Sequence, residues 1–247
     1  VSLLTPVNTT ASDRRQDSTL EAGRAPSAAR GTCPGWLRQC AEQAGASGVT
    51  AHLRGDRRHI TERDLRLIRE TIKTRFTVEM AATAEMKAAS LDVKPDVVCL
   101  VPERHEELTT TGGLDVLSLR RTLKPHIQAL TKGGIKVSIF VDPAIPQIRA
   151  IAELGVPRIE IHTGIYAEAK SALAKEAALE EIRIAAAEAA RLGLEVTGGH
   201  GLDYQNVGPI VAVPEMSELS IGFSIIARAA IVGIDRAVRD MVALLNP

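Results

Sequence analysis

The chain has 247 residues, 45% apolar and 24% charged, with a formal net charge of +0 at pH 7. That length suits one well-cored domain of barrel size, while the charge balance and an aromatic content of only 2% argue against nucleic acid or an anionic membrane as a main partner. No apolar run approaches a membrane span, and Cys33, Cys40 and Cys99 stand at no metal-ligand spacing, as expected of incidental or buried thiols in a reducing compartment. The opening VSLLTPV lacks the basic leader and cleavage site of a signal peptide, so a cytoplasmic protein is expected.

In chain order, residues 2–7 read as a strand, and residues 9–32 as a polar, small-residue-rich loop, disordered or acting as a lid. A rhythm then begins. GVTAHL is a strand, followed by a helix over TERDLRLIRETIKT with Thr61 as N-cap. FTVEM is a strand, with an Ala-rich helix near 82–91; DVVCLVP is a strand, with a helix opened by Gly112-Gly113 and ending near 131. IKVSIFVD precedes a helix near 144–154, and RIEIHTG precedes a long Ala/Glu/Lys helix to about 191. LEVTGG leads to a short helix after Tyr204, and ELSIG to a last helix ending near Leu245. Short apolar strands alternating with helices predict a parallel sheet covered on its outside. Eight such units in about 250 residues fit a (β/α)8 barrel with extra helices, forming one domain over 1–247. A doubly wound open sheet is the weaker reading, because no Gly-rich dinucleotide fingerprint follows the first strand.

Active sites of such barrels lie at the C-terminal strand ends. Here those ends carry His52, Glu79, Glu103, Asp142, Glu160 with His162, His200 and Gly222. Histidines and carboxylates converging from separate strands point to acid–base chemistry. A lone histidine at a strand end is more often structural, so the grouping carries the argument. After His52 comes RGDRRHI, which reads either as a solvated loop or as an anion-binding rim. The glycines of TGGHGLD and SIGFS follow the seventh and eighth strands, where barrels often hold phosphate, though they also suit tight turns. A Schiff-base lysine is not found at a strand end, since Lys94 precedes its strand and Lys136 begins one. His52, Glu79, His162 and His200 could hold a metal, but no His-x-His or His-x-x-x-His pair supports it, and no metal is expected.

The segments HLRGDRRHI, FTVEM, LVPE…LTTTGGLDV, IEIHTG and GGHGLDYQNV occur in this order and resemble the pyridoxine 5'-phosphate synthase family. The resemblance runs from Arg30 to the C-terminus. It implies a (β/α)8 barrel assembled as a cytoplasmic homo-octamer. It also implies condensation of 1-deoxy-D-xylulose 5-phosphate with 3-amino-2-oxopropyl phosphate to pyridoxine 5'-phosphate, with no redox cofactor. By the same resemblance His52 and Glu79 are the acid–base pair, His200 handles a later proton donation, and Glu160 is a supporting carboxylate. Arg54, His59 and Thr109 match positions for the deoxyxylulose phosphate. Asn8, Arg30, Gly201 and Gly222 match positions for the amino-ketone phosphate, with Phe223 beside them.

The chain departs from the family pattern in three places. VNTTASD keeps Asn8 but lacks an adjacent Asp-His pair, Gly55 replaces a carboxylate, and Phe223 replaces a histidine. Three readings stay open: the synthase, a paralogue acting on another phosphorylated substrate, and a catalytically weakened relic that binds phosphate.

Overall fold

The structure is a computed structural model and describes residues 3–6, 19–20, 34–103 and 112–246. Nine strands close into a barrel in chain order. They are β1 (Leu3–Pro6), β2 (Thr19–Leu20), β3 (Gly48–His52), β4 (Arg75–Met80), β5 (Val97–Leu100), β6 (Lys136–Val141), β7 (Arg158–His162), β8 (Glu195–Gly199) and β9 (Met216–Ile221). The seven from β3 to β9 run parallel. The helices are α1 (Pro34–Gln43), α2 (Glu62–Thr71), α3 (Ala84–Val93), α4 (Val116–Lys132), α5 (Ile145–Glu153), α6 (Gly164–Glu168), α7 (Ala172–Arg191), α8 (Val207–Val211), α9 (Phe223–Val232) and α10 (Ile234–Leu245).

The α/β barrel expected from the sequence is present, with local differences. The first strand runs antiparallel to β9, pairing Leu3 with Ile221 and Pro6 with Glu218. The two-residue β2, inside the stretch expected to be a loop, fills the place between β1 and β3. Helix α1 lies in a stretch for which the sequence predicts no element. The last helix is two, because Gly233 at φ 83° turns the chain between α9 and α10, a backbone conformation open to glycine.

Local chemistry sets several helix starts. The Asp64 carboxylate accepts from both the amide and the hydroxyl of Thr61, each at 2.9 Å, which closes the start of α2. Thr83 Oγ1 accepts the Met86 amide at 3.2 Å, and Ser171 Oγ accepts the Ala174 amide at 3.2 Å. Such caps contribute about 1 kcal/mol each.

Strand alternation divides the residues between two environments. Val49, Ala51, Val78, Met80, Val98, Leu100, Ile139, Val141, Ile159 and Ile161 belong to the main core between strands and helices. The alternate positions include Arg75, Thr77, Glu79, Ser138, Arg158, Glu160, Thr197 and Glu218, and these face the barrel interior. Near the N-terminal strand ends, Arg158 pairs with Glu195 and Glu218, Arg75 with Glu218, and Lys136 with Glu195 at 3.4 Å. This ionic plug leaves the opposite mouth for chemistry. Among the described residues no helix is long and apolar enough to cross a membrane.

Candidate active site

His52 ends β3 and lies in register with Glu79 on β4, so the pairing of two parallel strands sets the two side chains side by side. His52 Nδ1 is 3.9 Å from Glu79 Oε2. Its other nitrogen, Nε2, is 3.2 Å from Glu103 Oε1, just beyond β5. Glu103 Oε2 in turn accepts the Gly55 amide at 3.0 Å. Burial pushes the Glu103 pKa up, but the bonds from His52 and Gly55 outweigh it and hold the carboxyl below its ordinary value. A charged Glu103 therefore accepts from His52 Nε2–H, and the other ring nitrogen, Nδ1, faces Glu79. The ring of His59 lies 6.2 Å from that of His52. Burial, followed by the charges of His52, Arg54 and Arg58, lowers the His59 pKa.

The charged run after β3 divides in two. Arg54 is buried, 3% exposed, with Nε 3.5 Å from Asp56 Oδ2. Arg57 and Arg58 are tied into ion pairs. Arg57 sits at φ 54° and reaches Glu62 at 2.6 Å and Glu85 at 2.5 Å. Arg58 pairs with Asp56 at 2.6 Å. Burial works against the Asp56 charge, yet the Arg58 amide, its guanidinium and Arg54 bring the pKa down to about 2. Asp56, Arg57 and Arg58 thus brace the loop, and Arg54 and His59 are set inside it.

Across the barrel, Glu160 on β7 is buried, 7% exposed, and its carboxylate lies over Gly199 of β8. A Cβ at Gly199 would stand 2.2 Å from Glu160 Oε1, so glycine is what makes room for this carboxylate. Cys99 Sγ approaches Glu160 Oε2 at 3.8 Å, and Cys99 is also in register with Glu79. Burial, with the nearby Glu160 and Glu79, pushes the Cys99 thiol well up, so it is a neutral donor between the two carboxylates.

His200 follows β8 at φ 84°, a left-handed backbone unusual for a side chain with a Cβ. Thr163 Oγ1 lies 2.7 Å from the carbonyl oxygens of both Gly199 and His200 and holds this turn. Burial, then the charge of His162, lowers the His200 pKa, favouring neutral imidazole. Gly201 is also left-handed, at φ 76°, and Gly222 caps the start of α9. Phe223 opens α9 with its side chain 89% exposed. Two further groups stand at the mouth. Asp142 Oδ1 lies 2.9 Å from both His162 Nδ1 and the Gly113 amide, and the His162 bond, the larger influence, keeps the Asp142 pKa low.

The structure therefore gathers His52, Glu79, His59 and Arg54 on one side of the mouth and Glu160, His200 and Gly201 on the other. Asn8, Arg30 and Thr109 lie outside the described residues. Glu103, Asp142 and His162 are legible at strand ends, but the sequence assigns them no role, because their partners sit 51 and 20 residues away in the chain. Among the described residues no group of three or more His, Cys, Asp and Glu is placed to hold a metal ion.

Solved structures confirm the fold alone. A 4-hydroxy-2-oxoglutarate aldolase/2-deydro-3-deoxyphosphogluconate aldolase from TTHB1 superposes with a TM-score of 0.60 at 14% identity, covering 92% of each chain. KGPDC from Streptococcus mutans also gives 0.60 at 10% identity, over 84% of this chain and 90% of that one. Sequence relatives are far nearer. The pyridoxine 5'-phosphate synthase of Synechococcus sp. (strain JA-2-3B'a(2-13)) is 54% identical over 201 residues, 81% of this chain and 84% of its own. That of Photobacterium profundum is 53% identical over 216 residues, 86% and 89% of the two chains. The family model described as pyridoxal phosphate biosynthesis protein PdxJ matches residues 29–247, so the chain belongs to that family.

Proposed function

We propose that this protein is a pyridoxine 5'-phosphate synthase, the ring-closing enzyme of vitamin B6 biosynthesis. Its reaction condenses 1-deoxy-D-xylulose 5-phosphate with 3-amino-2-oxopropyl phosphate and releases phosphate and water. The observation that carries the reading is the His52–Glu79 pair, set by strand register at the barrel mouth in a chain 54% identical to a synthase. The amine of one substrate attacks the ketone of the other, water leaves, a carbon is deprotonated, and the ring closes with departure of a phosphate and a second water. Every one of these steps moves a proton.

In this reading His52, with Nε2–H held by Glu103, turns Nδ1 toward Glu79 and exchanges protons with Glu79 and substrate. His200, neutral by burial, takes a proton in one step and returns it in a later one. Glu160 supports the positive charge that develops on nitrogen. Arg54, His59 and Thr109 take the deoxyxylulose phosphate; Asn8, Arg30, Gly201, Gly222 and the neighbouring Phe223 take the amino-ketone phosphate. The amides at the start of α9 suit an anion, since its first turn holds no acidic residue. No redox cofactor or metal is required by this chemistry. A cytoplasmic homo-octamer completes the proposal, and the exposed Phe223, Leu173 and Ile231 offer apolar surface for contacts between copies.

The deciding experiment mixes purified protein with the two substrates and follows pyridoxine 5'-phosphate and phosphate in equal amounts. Phosphate binding without product would sink the synthase reading in favour of a relic. Product from a different phosphorylated ketone alone would favour a paralogue.

A further inference from the structure

His162 stands on β7 two positions beyond Glu160 and has no part in the chemistry above. Its ring is buried and held on three sides. Nδ1 faces Asp142 Oδ1 at 2.9 Å, so the proton on that nitrogen is donated to the carboxylate. Phe140 packs against the ring from β6, with centroids 5.1 Å apart. Gly164, opening α6, closes the third side: a Cβ there would stand 2.4 Å from His162 Nε2 and 3.0 Å from His200 Cδ2. Nε2 itself is buried and has no hydrogen-bond partner among the described residues. A half-turn of the ring would exchange Nδ1 for a carbon and lose the bond to Asp142. Because Nε2 is sealed beneath Gly164, it is not set to touch a substrate. The ring acts through its neighbour instead.

That neighbour is His200. The two imidazoles meet edge to face, with centroids 5.0 Å apart and planes at 69°. The His200 backbone is pinned by Thr163, so the remaining freedom is rotation of its side chain. His162 forms one wall of that rotation, and Phe140, 6.5 Å from His200, lies behind it. Besides these rings, the charged groups acting at this corner are Asp142 beyond β6 and Glu168 at the end of α6.

We propose that Asp142 and His162 are positioning residues for His200: Asp142 locks the His162 ring, and His162 sets the plane in which His200 exchanges its proton. The destination of that proton rests on the synthase reading, whereas the coupling between the three side chains does not. Asp142 Oδ1 also accepts the Gly113 amide at 2.9 Å, which supplies a rival route by which Asp142 could affect substrate binding rather than proton transfer.

The test uses Asp142→Ala, Asp142→Asn and His162→Phe in the full chain. Steady-state kinetics across pH are paired with NMR of the histidine ring signals in ligand-free protein. Asp142→Ala should lower kcat about tenfold to a hundredfold, the cost of a small misplacement of a reacting group. KM for both substrates should stay within about threefold. The pH limb of kcat and the His200 ring signal should both move. Asp142→Asn, which keeps an oxygen acceptor, should recover most of kcat. His162→Phe keeps a ring but not Nδ1 and should behave like Asp142→Ala; it decides the matter if Asp142→Ala does not fold. An unmoved His200 signal in a folded variant overturns the proposal, as does a loss confined to KM, which would assign Asp142 to the Gly113 route. If the unaltered protein forms no pyridoxine 5'-phosphate, the synthase reading fails, and the NMR comparison still decides the coupling.

Discussion

Glu103 holds His52: its Oε1 is 3.2 Å from His52 Nε2, while its Oε2 accepts the Gly55 amide at 3.0 Å. One carboxylate beyond β5 thereby fixes both the ring that ends β3 and the first turn of the loop that follows. A Cβ at residue 55 would stand 3.4 Å from Glu103 Oε2, an ordinary contact, so the amide of residue 55 rather than the lack of a side chain is what this carboxylate uses. Glu103 thus supplies a carboxylate to the backbone of this turn.

Replacing Glu103 by Gln removes the charge that fixes the His52 proton on Nε2 while keeping the shape. We predict a kcat lower by about tenfold to a hundredfold, from loss of ring orientation and tautomer. Steady-state rates with both substrates measure it. Unchanged kcat in the folded variant would mean that Glu103 serves only the loop.

Glu79→Gln and His200→Asn should each remove a proton-handling group. Loss of a general acid or base typically costs about 10²–10⁴-fold in rate. Circular dichroism should show both variants folded. Near-normal turnover in either would exclude its assigned role.

Arg54→Ala should weaken binding of a phosphorylated substrate by about 1.5–3 kcal/mol, the value of a hydrogen bond to a charged group. Since Arg54 is only 3% exposed and faces Asp56, its removal should also lower stability. Calorimetric titration with deoxyxylulose phosphate on the folded variant separates the two effects. Normal affinity there assigns Arg54 to the fold.

Arg158 is 3% exposed and pairs with Glu195 and Glu218 at the base of the barrel. Arg158→Ala leaves buried carboxylate charge undercompensated, which should cost about 3–5 kcal/mol of stability. Urea denaturation gives the number, and a change under about 1 kcal/mol would show a well-hydrated plug.

The same plug predicts acid sensitivity. Burial raises the Glu195 pKa, but Arg158, Lys136 and Arg75 overcome that and hold it below the ordinary 4.5. The folded state therefore binds this proton less readily than the unfolded chain. Its contribution to stability is present above about pH 4.5 and is lost as pH falls through the lower folded value. In Glu195→Gln this part of the acid dependence should vanish. A melting-temperature profile between neutral and acid pH that matches the parent's would contradict it.

Much of this architecture is local and therefore readable in the chain. The strands from GVTAHL to ELSIG lie within a few residues of their expected places, because short apolar runs bounded by turn residues are strand signals in themselves. Thr61 starts its helix as expected, because an N-cap and its Asp64 partner are three residues apart. The placement of titratable residues at strand ends follows from the same pattern, and the motifs around them carry the family. Tertiary structure decided the rest. The direction of β1 depends on pairing with β9, some two hundred residues away, which no local pattern encodes. The apolar look of the strands hid an interior of Arg75, Arg158, Glu195 and Glu218, since only closure of the sheet shows that these charges neutralise one another. Whether a strand-end histidine does chemistry or positions another is likewise a matter of neighbours. His52 meets Glu79 and Glu103, and His162 meets Asp142 and His200, only because parallel strands bring distant segments into register, and the range of a hydrogen bond is far shorter than the chain between them.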